Sequence, residues 1–202
     1  MTFVVVPDKA AGDLYTEAMW DTFLRDNLNK GVVRPIAEAT LTGAAASIEF
    51  ASIAADWSHL QLVLYGRGDA AAAAIECWLR FNGDTAVNYD NQNVTGNAAA
   101  ASAGEDFALS RIIVGNLPGG NAPGAIYGMS IIDIPHYAQA VNQKTVNVRN
   151  SHKAGIATGN IVATLRAGFW RNIGAVGTIT LLPSSGNFLA GTRATLYGMG
   201  GI

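Results

Sequence analysis

The side chains able to do chemistry are few and scattered. Three histidines, His59, His136 and His152, lie in different segments, with no Cys, Asp or Glu beside them at the spacing a metal centre requires. The expectation for each is a solvated ring or one on a strand face. Cys77 is the one cysteine, so neither an internal disulfide nor a thiolate metal site can be built. Asp69, Glu76, Asp84 and Asp90 flank loops and could hold a structural calcium ion together with backbone carbonyls. The plainer expectation is that they are solvated turn carboxylates making local hydrogen bonds. No Gly-x-Ser-x-Gly elbow, phosphate-cradling glycine loop before a helix, or His-Glu-x-x-His helix occurs. The chain therefore reads as a non-enzyme that needs no cofactor.

Three aromatic residues have a more specific use. Trp78, Tyr89 and Trp170 are candidates for glycan stacking, in which a ring on a sandwich face or loop lies against a pyranose. Trp78 falls on the strand face opposite Ile75, Cys77, Leu79 and Phe81, away from the expected core. A second face covered by the amino-terminal helix, a loop or a sister subunit accounts for the same pattern. Arg149, His152 and Lys153 form a weakly basic corner, expected to be a solvated hairpin end.

Composition narrows the classes of partner. Only 14% of the 202 residues are charged, against roughly 25% in an ordinary soluble domain, so a covered surface is expected. A net charge of −2 with scattered Lys and Arg argues against a nucleic-acid binder, which needs clustered cations for phosphates. No apolar stretch approaches the ~20 residues of a membrane span. The amino terminus lacks a basic segment followed by an apolar run, so a soluble chain without an export leader is expected.

The elements that must position these residues divide at residue 35. Residues 1–35 read as an extended arm and one short amphipathic helix. Phe3 to Val6 closes at Pro7; Thr16 suits an N-cap, with Glu17 in the first turn. Trp20, Phe23, Leu24 and Leu28 then share one face, and Gly31 is placed to end the helix. Such a stripe must be buried on something, so these four residues are the candidates for subunit docking.

Residues 36–202 alternate with period two, as at Leu60, Leu62 and Leu64 or Ile75, Cys77, Leu79 and Phe81. Further strands are expected over Phe107–Val114, Ala125–Ile134, Thr145–Arg149, Asn160–Trp170, Val176–Leu182 and Thr192–Tyr197. Asn93–Gly104, rich in alanine, reads as a flexible loop, as do the closing glycines Gly198, Gly200 and Gly201. The expected fold is all-β: a jelly-roll or Greek-key β-sandwich of about 8–10 antiparallel strands.

The stretch from Gly12 to Leu28, with Gly12-Asp13, Thr16, Ala18, Trp20-Asp21-Thr22 and Arg25-Asp26-Asn27, resembles a pattern near the start of many tailed-bacteriophage virion proteins. Asp21 stands where that pattern usually has Asn. In the body, Leu79-Arg80-Phe81-Asn82-Gly83-Asp84-Thr85 and the segment Ile179–Gly198 resemble phage-encoded sandwich proteins. The resemblance implies a structural component of the virion, assembled in the host cytoplasm, as a capsid decoration or minor tail protein. Its partners would be other capsid or tail subunits and copies of itself in a homo-oligomer, a trimer being one option, with no nucleic acid or membrane contact. A host surface glycan is the partner if the chain is instead an adsorption module.

Docking and core residues should separate in mutants. Trp20→Ala is expected to weaken assembly more than it unfolds the sandwich, whereas Leu62→Ala or Leu79→Ala should cost roughly 2–5 kcal/mol of stability by opening a core cavity. Denaturant unfolding and particle co-sedimentation read the two effects.

Overall fold

Burial follows the alternation of the sequence most closely over Trp57–Gly66 and Ala74–Phe81. The computed structural model describes Thr16, Ala18, residues 33–155 and residues 159–201. Trp20, Phe23, Leu24 and Leu28, and with them the expected arm and helix, lie outside the described residues. Twelve strands run in chain order: β1 Val33–Thr40, β2 Ile48–Phe50, β3 Trp57–Gly66, β4 Ala74–Phe81, β5 Tyr89–Asn97 and β6 Ala100–Leu109. They continue with β7 Ile112–Pro118, β8 Gly128–Pro135, β9 Lys144–Lys153, β10 Ile161–Trp170, β11 Ile179–Pro183 and β12 Arg193–Gly201. The first strand thus begins upstream of Ile36.

Every pairing is antiparallel, and the strands form two sheets. An eight-stranded sheet has the order β1-β12-β3-β8-β9-β10-β5-β6, and a four-stranded sheet has the order β2-β11-β4-β7. Most connections pass from one sheet to the other, apart from the β5-β6 hairpin and the β8-β9-β10 meander. The fold is an all-β sandwich. Leu60, Leu62 and Leu64 of β3, Ile132 and Ile134 of β8, and Val146 and Val148 of β9 meet Ile75, Cys77, Leu79 and Phe81 of β4 in one core.

Three expectations change. Asn93–Gly104 is no loop but the distal half of the β5-β6 hairpin, paired from Asn93↔Gly104 to Asn97↔Ala100. Its small side chains carry no hydrophobic period, yet β10 pairs along β5 from Trp170↔Tyr89 to Val162↔Asn97 and holds it as a strand. Phe107–Val114 is split, with β6 ending at Leu109 and β7 beginning at Ile112 in the other sheet. The closing glycines are structural: Gly198 pairs with Leu60, and a Cβ there would lie 2.2 Å from the Trp57 ring.

An aromatic plug fastens the layers where β4 crosses to β5. Asn82 and Gly83 turn the chain with φ of 52° and 65°, the left-handed conformation that Asn and Gly tolerate best. Beyond the turn, Asp84 accepts hydrogen bonds from the Ala86 amide at 2.9 Å, Asn88 Nδ2 at 3.0 Å and Trp170 Nε1 at 2.7 Å. Trp170 packs against Phe81 and Tyr89 with ring centroids 5.4 and 6.3 Å away. Burial tends to raise the Asp84 pKa, but the Asn88, Trp170 and Ala86 donors outweigh it, so the carboxyl lies below its ordinary value.

Asp84→Ala strands a buried indole N–H and should destabilise the fold by about 1–3 kcal/mol. Because the folded pKa is depressed, Asp84 contributes fully above about pH 4 and loses its contribution as pH falls through the folded value. The gap between wild type and variant in denaturant unfolding should therefore be wide at neutral pH and narrow in acid.

Candidate functional site

The structure separates the residues singled out for glycan stacking. Tyr89 and Trp170 are fully buried at 0% and 1% exposure, so neither offers a ring face to a sugar. Both sit at the ends of paired strands, Trp170↔Tyr89, with their side chains turned into the core. The Tyr89 hydroxyl is held by the Phe81 amide at 3.2 Å and the Asp84 carbonyl at 3.2 Å, and burial pushes its pKa up to about 12. Trp78 does point outward from β4, as its alternation predicts. The Arg111 guanidinium covers its ring at 4.0 Å, and its Nε1 donates to Glu76 at 2.8 Å.

The ionisable residues act locally. Asp69 takes the Asn187 amide at 2.6 Å and its side chain at 3.0 Å, tying the β3-β4 and β11-β12 connections together; those bonds hold its pKa low. Asp90 accepts the Ala108 amide at 2.9 Å and pairs with Arg171 at 3.4 Å. Among the described residues no three His, Cys, Asp or Glu side chains gather to hold a metal. His59 and His136 do come together, edge to face at 4.7 Å, and the His136 amide donates to His59 Nδ1. Burial and then the neighbouring His136 lower the His59 pKa. The basic corner dissolves, because Arg149 and His152 point to opposite faces of β9: Arg149 pairs with Asp133 at 3.2 Å while His152 is buried.

Two cations unremarked in the sequence prove to be internal fasteners. Arg67, 6% exposed, donates to the carbonyls of Pro123, Ile126 at 3.3 Å, Gly120 at 3.4 Å and Ala122 at 2.6 Å. It thereby fixes the loop between β7 and β8. Lys144 Nζ, buried at the start of β9, donates to the carbonyls of Gln139, Asn142 and Ile173 at 2.7, 2.6 and 3.1 Å, and burial lowers its pKa. The signal available for Arg67 is its place between Gly66 and Gly68, where Thr192 and Ile75 side chains pack closely; Lys144 carries none, because its acceptors are loop carbonyls.

What remains accessible is a surface. On the outer face of the eight-stranded sheet, Tyr65, Met129, Val94, Leu165, Ile161 and Phe169 are all exposed. Direct pairing sets Leu165 beside Val94 and Val94 beside Ala103, so these three form a row across β10, β5 and β6. A second row joins Tyr65 to Met129 and Met129 to Ser151. There Tyr127 stacks on Tyr65 at 5.0 Å, beside an open depression of about 310 Å³ that Lys153 and Ile161 also line. These exposed apolar side chains, interspersed with polar ones such as Asn147 and Gln92 and with Lys153 and the Arg149–Asp133 pair, suit contact with another protein.

No family model matches the chain, and no curated protein matches it. Among solved structures it is similar to an exo-inulinase from Aspergillus awamori, at 14% identity and a TM-score of 0.42, covering 83% of this chain and 30% of that one. The chain thus spans 30% of the enzyme's length. That likeness assigns neither substrate nor reaction to this chain.

Cys77 is fully buried in β4, and burial raises its thiol pKa strongly. The native protein is therefore expected to resist thiol reagents and to be labelled only as it unfolds. Labelling across a denaturant series should track the loss of tertiary fluorescence; rapid modification of native protein would contradict the placement.

Proposed function

We propose that the chain is a non-enzymatic structural component of a bacteriophage virion, binding neighbouring virion subunits as a capsid decoration or tail-associated minor protein. The observation that carries the binding role is the outer face of the eight-stranded sheet, where Val94, Leu165, Ile161 and Phe169 stand exposed with little charge among them. Large apolar side chains gain roughly 25 cal/mol per Å² when a partner removes them from water. The virion as setting is supported by the resemblance of Gly12–Leu28, Leu79–Thr85 and Ile179–Gly198 to phage virion proteins. A compact sandwich with one apolar face suits symmetric assembly, in which copies cover one another.

A second reading, a carbohydrate-binding adsorption module, is favoured by the exposed Tyr65 stacked on the half-buried Tyr127 beside Lys153. It no longer draws on Tyr89 and Trp170.

Particle association tests the first reading. The chain should co-sediment with phage particles or with purified capsid or tail subunits, and Leu165→Asp should reduce that association severalfold while the melting temperature holds. A monomer that never joins those subunits, yet shows fluorescence changes on titration with host polysaccharide, replaces the first reading with the second.

A further inference from the structure

Among the described residues the sandwich ends in four edge strands, and they are not alike. β1 carries Pro35 and an irregular register between Pro35 and Ala37. β2 is only three residues long. β7 is buried along its length, and its pairing with β4 is broken by a register shift. Proline, brevity, burial and irregularity are the usual means by which proteins keep an edge from pairing with another chain.

β6 has none of these over Ala100–Asp106. It spans ten residues, is exposed on both faces, and holds neither proline nor lysine. Its register with β5 is unbroken from Asn97↔Ala100 to Asn91↔Asp106. Along this edge, which no described residue pairs, backbone N–H and C=O groups point away from β5, a row whose complement is another strand.

From this edge we infer that β6 pairs antiparallel with β6 of a second copy about a two-fold axis at Ala103. Charge sets the direction of that pairing. Glu105 and Asp106 lie at one end of the regular stretch and Ala100 and Ala101 at the other. Antiparallel pairing about Ala103 sets Ala101 against Glu105 and Ala100 against Asp106, so every carboxylate faces a small neutral residue. A parallel, in-register pair would place carboxylate on carboxylate, which is unfavourable. The outer-face row also continues through the axis: Leu165, Val94 and Ala103 of one copy meet Ala103, Val94 and Leu165 of the other. This contact stands on the edge itself and does not require the virion setting.

The experiment uses the full chain. Sedimentation velocity over a wide concentration range should show a monomer–dimer equilibrium. Ala103→Glu, which puts two carboxylates face to face, should weaken it by at least roughly tenfold without changing the melting temperature. Direct cross-strand Cα atoms lie about 4.5–5.5 Å apart, within disulfide reach. Ala103→Cys should therefore give a covalent dimer under mild oxidation, since Cys77 is buried. Val87→Cys, 61% exposed between β4 and β5, should not. A chain that stays monomeric, or Ala103→Cys that crosslinks no faster than Val87→Cys, overturns the pairing. Self-association untouched by Ala103→Glu also overturns it, while leaving the virion reading to be judged by particle co-sedimentation.

Discussion

The sandwich depends on burying the indole of Trp170 with its N–H satisfied. A donor left without an acceptor in the core would cost much of what the ring gains by burial. The acceptor is Asp84, delivered by the connection that carries the chain from the small sheet to the large one. The same carboxylate holds that connection in shape through Ala86 and Asn88. Position of the ring and path of the crossover are therefore one constraint, and Phe81 and Tyr89, on the strands that enter and leave it, close around the ring. The interlocked arrangement sets β5 against β10, and β5 in turn carries β6.

Periodicity made much of this legible in advance. Leu60, Leu62 and Leu64, or Ile75, Cys77, Leu79 and Phe81, announce half-buried strands because every second side chain is apolar, and all of them are core. The same rule turns Trp78 outward, opposite Cys77 and Leu79. Tyr89 and Trp170 are not legible as core: the larger apolar residues of β10, Ile161, Leu165 and Phe169, lie on the face opposite Trp170, and Tyr89 begins a strand of mostly polar residues. Their inward direction comes from pairing with each other across β5 and β10, a contact between residues distant in sequence. The Asn93–Gly104 segment was opaque for a different reason: its alanines and glycines are compatible with loop or strand, and only backbone pairing with β10 decides.

The surface is less legible in the sequence than the core. Scarcity of charge pointed to a covered exterior, and an apolar outer face is present, with Val94, Leu165 and Tyr65 exposed. Which strands carried it was not visible, because sheet order is set by crossovers. Neighbours such as β12 and β3, or β10 and β5, are far apart in the chain.

Arg67 and Lys144 have a consequence beyond the loops they fasten. Each is a cation enclosed by carbonyl oxygens, with no carboxylate among its hydrogen-bond partners. Both count toward the formal charge of −2, yet both are buried. The exterior is accordingly more acidic than composition implies, and copies brought side by side repel one another weakly. At physiological ionic strength that repulsion fades beyond about 8 Å, so dissolved salt sets the distance at which two copies sense one another.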